Sequence, residues 1–200
     1  MADHYFTSNP NAKHKEQNFE MTLKGNTLKF NTDSGVFSKE RVDYGSQVMI
    51  EAVDPSVFPN GKVLDMGCGY GPVGLSLAKA YPELSIDMVD VNERALDLAR
   101  KNAEENGIKN VDIYLSSIYE KVEEKGFGAV LSNPPIRAGK KVVHQIISEA
   151  YDHLAEDGVL VIVIQKKQGA PSAKQRMTDV FGNVERIALD KGYWVLQAKK

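Results

Sequence analysis

The sequence contains very little cysteine, no long apolar segment and almost no net charge. Its 200 residues include one cysteine, Cys68, so no disulfide forms within the chain and a reducing, cytoplasmic setting is expected. The longest apolar run, Val159 to Ile164, is far too short to cross a bilayer, and the first residues lack a basic-then-apolar signal pattern. No membrane attachment is therefore predicted. A net charge of −2 argues against a chain that coats nucleic acid.

The charges are distributed unevenly along the chain. Residues 51–130 contain 8 Lys and Arg against 14 Asp and Glu, whereas residues 131–200 contain 11 against 7. Several of the later basic residues follow predicted strands, and in an open α/β sheet ligands bind at that edge. They are Arg137, Lys140, Lys141, Lys166 and Lys167. The pattern fits either a basic binding edge or ordinary solvated lysines.

The apolar pattern predicts one domain over residues 1–200, with an N-terminal arm and hairpin in residues 1–34 and an α/β core in residues 35–200. Apolar residues alternate between Phe19 and Phe30 on either side of a Gly25-Asn26 turn, which indicates a hairpin. A helix is expected over residues 42–53.

Strands and helices then alternate from Gly61 to the end. Strands are expected near 62–66, 85–90, 111–115, 127–132 and 158–164, and helices near 72–81, 93–106, 140–156 and 172–181. Asn92 is a good cap for the helix near 93–106, and Asp157-Gly158 is expected to close the one near 140–156. This order predicts an α/β fold with a doubly wound, mostly parallel, seven-stranded sheet. A closing hairpin over 184–198 makes the last strand antiparallel.

The stretch from Val63 to Gly74 indicates a short apolar strand, a glycine-dense turn and the start of a helix. Glycines let the backbone approach a ligand, and the helix N-terminus offers unpaired N–H groups. A lone glycine loop can equally be a tight turn without a ligand. Two later features favour a ligand site. Asp90 closes the next strand, where a dinucleotide-type fold has its ribose-binding carboxylate, and Asn133-Pro134-Pro135 ends another apolar run in a rigid polar turn.

These three segments, in this order, resemble the Rossmann-like, class I S-adenosylmethionine-dependent methyltransferases. The loop from Asp65 matches their Asp-x-Gly-x-Gly-x-Gly pattern, and the Asn-Pro-Pro turn matches their signature for methylating an exocyclic or amide nitrogen. The resemblance extends from about Gly35 to the C-terminus and implies S-adenosyl-L-methionine as cofactor; no metal site is predicted. An NAD-dependent oxidoreductase is the weaker interpretation, because Asp65 would repel a pyrophosphate and Pro72 stands where a dinucleotide motif has glycine or alanine.

The resemblance also implies roles for individual residues. The glycine loop would pass beneath the methionine part of the cofactor, Asp65 would face its ammonium group, and Asp90 would bind both ribose hydroxyls. The adenine would be bound after the third strand, where family members often carry an acidic residue and this chain has Ser116-Ser117. Cys68 is interpreted as part of the loop packing and not as a nucleophile. The expected cofactor-binding residues are Asp65, Gly67, Cys68, Gly69, Gly71, Asp90, Val91, Ser117, Ile118 and Asn133.

The Asn-Pro-Pro turn suits methyl transfer to an amine. The lone pair of an exocyclic amine is delocalised into the ring, and accepting hydrogen bonds from its two N–H groups favours a pyramidal nitrogen aimed at the methyl group. The side-chain carbonyl of Asn133 can accept one bond and the main-chain carbonyl of Pro134 the other. No strong base is required, and catalysis is mostly positioning. The predicted catalytic residues are Asn133, Pro134, Pro135 and Ile136; the alternative is an ordinary loop.

Among its relatives, the sequence is most similar to the bacterial small-subunit rRNA (guanine-N2) methyltransferase C family. These proteins carry a Gly-Val-Phe-Ser segment upstream of the loop, matched by residues 35–38, and a basic segment after Asn-Pro-Pro, matched by residues 137–140. The resemblance implies that this chain corresponds to their catalytic half and methylates guanine N2 in small-subunit (16S) ribosomal RNA, with the RNA or the small ribosomal subunit as partner. It implies substrate contacts at Phe37, Arg137 and Lys140.

Two other functions stay open. An N-methyltransferase of protein glutamine or DNA adenine would usually have an aromatic residue at position 136, where this chain has Ile136. A non-catalytic RNA-binding or assembly factor with the same fold would have no need for Asp65, Asp90 and Asn133 together. Tyr193 and Trp194 are interpreted as strand packing.

Overall fold

The computed structural model describes residues 16–33, 41–135, 137 and 139–200. Within them an N-terminal hairpin, β1 (Gln17–Leu23) and β2 (Asn26–Thr32), precedes a larger sheet. That sheet contains β3 (Val63–Met66), β4 (Ile86–Asp90), β5 (Val111–Leu115), β6 (Phe127–Ser132), β7 (Leu154–Gln165), β8 (Glu185–Asp190) and β9 (Tyr193–Lys199). The helices are α1 (Tyr44–Ala52), α2 (Pro72–Ala80), α3 (Glu93–Glu105), α4 (Lys140–His153) and α5 (Ala170–Phe181).

The larger sheet has the strand order β5-β4-β3-β6-β7-β9-β8. The first five strands in this order are parallel, and β9 is antiparallel to both β7 and β8. One hydrophobic core packs the hairpin and α1 to α3 on one face, and a second packs α4 and α5 on the other. Both faces of β3, β4 and β6 are therefore buried, as their continuous apolar sequences require. The predicted fold class is confirmed.

Most predicted element boundaries lie within two residues of the observed ones, and two of the differences have a clear cause. The hairpin turns at Lys24-Gly25, one residue before the predicted Gly25-Asn26, because Leu23 already pairs with Asn26. Both turn residues have positive φ, 49° and 77°, as a two-residue hairpin loop of this twist needs.

The fourth helix also ends earlier than predicted, at His153 and not near residue 156. Leu154 is already paired with Phe127, so Asp157-Gly158 lies inside β7 instead of closing a helix. The pairing resumes only at Ala129 with Val159, so the polar residues before Val159 form an irregularity in the strand. A polar Asp-Gly pair after an apolar helix pattern gives no warning of such a bulge.

The buried side chain of Asn102 on α3 joins three parts of the fold. Its Nδ2 donates to the main-chain carbonyls of Asn31 in β2 and Tyr70 in the glycine loop, at 3.1 and 2.9 Å. Its Oδ1 accepts from the main-chain N and the side-chain Nδ2 of Asn31, at 2.7 and 3.0 Å. The hairpin and the loop are therefore held to one helix by a fully satisfied buried amide.

Replacing Asn102 with leucine, which has a similar volume, removes all four hydrogen bonds at once. We expect the free energy of unfolding to fall by about 3 kcal/mol or more, because buried donors and acceptors of Asn31 and Tyr70 lose their partner. Urea denaturation measures this. The matched variant Asn106→Leu removes hydrogen bonds to Lys29 near the helix end, where water can replace them, and should cost less than half as much. If Asn102→Leu lowered the free energy of unfolding no more than Asn106→Leu does, the structural role given to Asn102 would be wrong.

Candidate active site

A cavity of about 540 Å³ lies at the carboxyl ends of β3, β4 and β6. This is the edge at which open α/β sheets bind ligands, because the loops that follow parallel strands meet there. The structure brings twelve of the sequence-predicted site residues to its wall: Asp65, Gly67, Cys68, Gly69, Asp90, Val91, Ser117, Ile118, Asn133, Pro134, Pro135 and Arg137.

Two of the other predicted site residues lie elsewhere, and two are outside the described residues. Gly71 is the N-cap residue of α2, and a Cβ there would lie 2.7 Å from Leu75 Cδ1, so it serves close packing and not the cavity surface. Lys140 lies beside a separate cavity of about 100 Å³ between the starts of α4 and α5. Phe37 and Ile136 lie outside the described residues.

The glycine loop folds back over the end of β4. The N–H groups of Gly67 and Cys68 both donate to the carbonyl of Val89, at 2.8 and 2.9 Å. Gly67 and Gly69 have φ of 75° and 57°, a region that other residues rarely adopt. A Cβ at Gly67 would meet no atom within 4 Å, so the open space above the loop is available to a ligand.

Asp65 lies at the bottom of the cavity, almost fully buried. Its Oδ2 accepts a hydrogen bond of 2.8 Å from the N–H of Gly74 in the first turn of α2, where the helix dipole favours negative charge. Burial nevertheless raises the pKa of Asp65 to about 7, and the neighbouring charge of Asp90 adds to the increase. This carboxyl group would be stabilised in its ionised form by a cationic ligand.

Asp90 is bound through both of its carboxylate oxygens. Oδ2 accepts from the N–H of Gly69 and Oδ1 from the N–H of Asn92, each at 2.9 Å. Burial raises its pKa, against the opposing effect of these hydrogen bonds. The side chain thus connects β4 to the glycine loop and to the cap of α3, where Asn92 accepts from Ala95 N as predicted.

Cys68 is buried in the same loop, and burial raises the pKa of its thiol well above the usual range. It is therefore uncharged, which fits packing and not nucleophilic chemistry. After β5, the Oγ of buried Ser116 donates to the carbonyl of Ile118 and accepts from Lys121 N. That side chain stabilises the local turn, while Ser117 and Ile118 line the cavity.

Asn133 projects from the end of β6 and binds two residues that the sequence analysis did not identify. Its Nδ2 donates to Asp43 Oδ2 at 2.7 Å, to Asp43 Oδ1 at 3.0 Å and to Ser46 Oγ at 2.9 Å. The amide nitrogen is thus turned towards α1. The side-chain carbonyl oxygen, on the other branch of the amide, is left available to a ligand in the cavity that Asn133 lines.

The missed residues at the cavity come from distant parts of the chain. Asp43 and Ser46 line it, and the only trace of them in the sequence is the spacing of a helix cap, since Asp43 also accepts from Ser46 N. Tyr193 packs on Gly45, where a Cβ would lie 2.9 Å from its Cε1, as strand packing predicts. Its ring also lines the cavity, which was not predicted.

This fold and site match known methyltransferases. The family model described as the methyltransferase small domain covers residues 27–197. The chain belongs to this family. It is 48% identical over 202 residues to the protein named uncharacterized protein YbxB of Bacillus subtilis, with both chains covered completely. It is 35% identical over 167 residues to ribosomal RNA small subunit methyltransferase C of Haemophilus influenzae, covering 80% of this chain and 49% of that protein.

A solved structure of similar shape is the Thermus thermophilus 16S rRNA N2 G1207 methyltransferase (RsmC) in complex with AdoMet and guanosine. It has a TM-score of 0.82 and 25% identity, covering 96% of this chain and 52% of that one. The chain thus spans about half the length of the methyltransferase C relatives that it matches. The predicted class, an S-adenosylmethionine-dependent methyltransferase, is confirmed.

Two features are absent from the described residues. None of their helices combines the length and the apolar character needed to cross a membrane. No group of three or more His, Cys, Asp or Glu side chains in that part of the chain could hold a metal ion.

Proposed function

We propose that the protein transfers a methyl group from S-adenosylmethionine to the exocyclic N2 of a guanine in small-subunit ribosomal RNA. The observation that carries the proposal is the orientation of Asn133. Its amide nitrogen is bound by Asp43 and Ser46, which leaves its carbonyl oxygen available to a ligand in the cavity that also contains Asp65 and Asp90. A hydrogen-bond acceptor for an amine therefore lies in the same cavity as two carboxylates suited to the cofactor.

The residues at the cavity fit the cofactor chemically. S-adenosylmethionine carries an ammonium group, a sulfonium and a ribose diol. Buried Asp65 offers a carboxylate whose charge needs a cationic partner, and Asp90 offers acceptors for the diol. Gly67 and Gly69 leave space above the loop for the methionine part, while Ser117 and Ile118 form the adenine end of the cavity. When bound, this cofactor supplies an electrophilic methyl group whose sulfur leaves as a neutral thioether.

The Asn-Pro-Pro turn would hold the acceptor amine. The side-chain carbonyl of Asn133 and the main-chain carbonyl of Pro134 each accept one N–H, which leaves the nitrogen lone pair for the methyl carbon. The N–CH₃ bond forms as the S–CH₃ bond breaks, and the excess proton of the product passes to water. The contribution of these residues is orientation.

A nucleobase acceptor is supported by three further observations. Tyr193 gives the cavity an aromatic wall, which can contact the face of a base. Exposed Arg137 lies at the same cavity, where a phosphate of an RNA strand could bind it. The Haemophilus influenzae relative is named ribosomal RNA small subunit methyltransferase C, and the Thermus thermophilus protein is described as a 16S rRNA methyltransferase in complex with AdoMet and guanosine.

The proposal is tested by tritium transfer from labelled S-adenosylmethionine. Small ribosomal subunits, naked ribosomal RNA, DNA and a release-factor protein are offered side by side. We expect label in RNA that digests to N2-methylguanosine. Asn133→Ala should lower kcat by about 100-fold, the scale for losing one oriented polar group in an active site. The surface variant Asn60→Ala should retain full activity. Label only in DNA or protein would refute ribosomal RNA as the methyl acceptor.

The pKa of Asp65 predicts a pH dependence of cofactor binding. In the free protein this carboxyl group is protonated below about pH 7, so the charge that pairs with the ammonium group is lost as the pH falls. Isothermal titration with S-adenosylmethionine should give roughly five- to tenfold weaker binding at pH 6 than at pH 7.5, with proton release on binding at pH 6. Asp65→Asn should bind weakly at both values. A pH-independent wild type, or an unchanged dependence in the variant, would contradict this role.

A further inference from the structure

The start of α1 contacts the Asn-Pro-Pro turn, although about 90 residues separate them in the chain. Three acceptor atoms, both carboxylate oxygens of Asp43 and the Oγ of Ser46, lie between 2.7 and 3.0 Å from Asn133 Nδ2. Nothing in the reaction outlined above requires Asp43 or Ser46 to touch the acceptor or the cofactor. Their contact with Asn133 is therefore not explained by binding of the acceptor or the cofactor.

The contact selects one of the two orientations of the amide. A primary amide has two N–H donors, and the three acceptors around Nδ2 use both. Rotating the amide by 180° would place its carbonyl oxygen at the same short distances from a carboxylate, with no hydrogen between them. That arrangement is repulsive and leaves buried acceptors without donors. The carboxylate thus excludes the orientation in which Asn133 would present N–H groups to the cavity.

Asp43 and Ser46 are themselves held in place. Asp43 is the N-cap of α1, and both of its oxygens accept from Ser46 N, at 3.3 and 3.1 Å. An ionised Asp43 carboxylate can only accept, and the Ser46 hydroxyl oxygen likewise accepts from Asn133 Nδ2, at 2.9 Å. The helix N-terminus further favours the negative charge. Asp43 and Ser46 are thus fixed at the start of α1, where both accept from Asn133 Nδ2.

We propose that Asp43 and Ser46 are positioning residues, which bind the amide nitrogen of Asn133 so that its carbonyl oxygen points to the acceptor amine. The inference rests on the proposed function, because it assigns the role of Asn133 in that reaction. The negative carboxylate on the nitrogen side also polarises the amide and makes its oxygen a stronger acceptor. Neither residue takes or gives a proton during the transfer.

Asp43→Asn is the sharpest variant. Asparagine is as good a helix N-cap as aspartate, so α1 keeps its cap, but the uncharged amide can present either an oxygen or an NH₂ group to Asn133. The Asn133 amide can then adopt the rotated orientation that the Asp43 carboxylate excludes in the wild type. With small ribosomal subunits as substrate we expect kcat to fall by about 10- to 100-fold, the scale for a misplaced catalytic group, with less than a threefold change in KM. Ser46→Ala removes one acceptor of three and should have a smaller effect in the same direction.

Asp54→Asn is the matched control. Asp54 caps the short helical turn after α1 through Ser56 N, is exposed, and does not line the cavity. It should leave kcat, KM and the unfolding temperature unchanged. Isothermal titration with S-adenosylmethionine should give the same affinity for Asp43→Asn as for the wild type. Wild-type kcat in Asp43→Asn would overturn the proposal, as would a loss of activity explained entirely by unfolding or by lost cofactor binding.

A second readout does not depend on any substrate. In ¹H–¹⁵N spectra the side-chain NH₂ signals of Asn133, assigned by their absence in Asn133→Ala, should exchange slowly with solvent in the wild type. They should exchange at least tenfold faster in Asp43→Asn. If no RNA is methylated but the protection is lost in Asp43→Asn, the proposed acceptor fails while the orienting network stands. If the wild-type signals exchange freely, the network itself is refuted.

Discussion

Two buried carboxylates, Asp65 and Asp90, constrain the whole binding edge of this protein. A buried carboxylate is tolerated only when donors reach it, and the donors here are main-chain N–H groups of Gly74, Gly69 and Asn92. To deliver them, the loop after β3 must fold back over the strand ends and α2 must begin directly above Asp65. The shape of the cavity floor follows from this requirement. Burial raises the pKa of Asp65 more than its hydrogen bond from Gly74 lowers it, so a cationic ligand would stabilise the ionised carboxylate.

Support for that loop comes from outside the sheet. Asn102 binds the carbonyl of Tyr70 inside the loop and both main-chain groups of Asn31 in the hairpin. The ring of Tyr70 packs against Phe30 and Phe19 of the same hairpin, with centroids 5.8 and 6.4 Å away. The hairpin is therefore more than an appendage to the core. It packs against the glycine loop through Tyr70 and supports it there.

The features that could be predicted from the sequence are local ones. Apolar runs locate the buried strands, and glycines mark the loop because positive φ leaves a clear signature in composition. Asp65, Asp90 and Asn133 could be identified because each directly follows or ends such a run. Asp43, Ser46 and Tyr193 could not, since they reach the cavity only through long-range packing of α1 and β9. The prediction that Asp157-Gly158 closes the fourth helix was wrong for a related reason. Pairing of Leu154 with Phe127 overrides the local turn preference.

The geometry of the Asn-Pro-Pro turn fits the amine acceptor of the proposed reaction. Pro134 and Pro135 have no N–H groups, and the NH₂ of Asn133 is used by Asp43 and Ser46. The side chain of Asn133 and the two prolines therefore present acceptors to the cavity and no donors. An amine with two N–H groups matches two acceptors and keeps its lone pair free. A hydroxyl has only one hydrogen, so one of its lone pairs would face a carbonyl oxygen without a bond, which costs free energy in a buried site. In the proposed reaction, the lack of donors in the turn would favour a nitrogen acceptor over an oxygen acceptor.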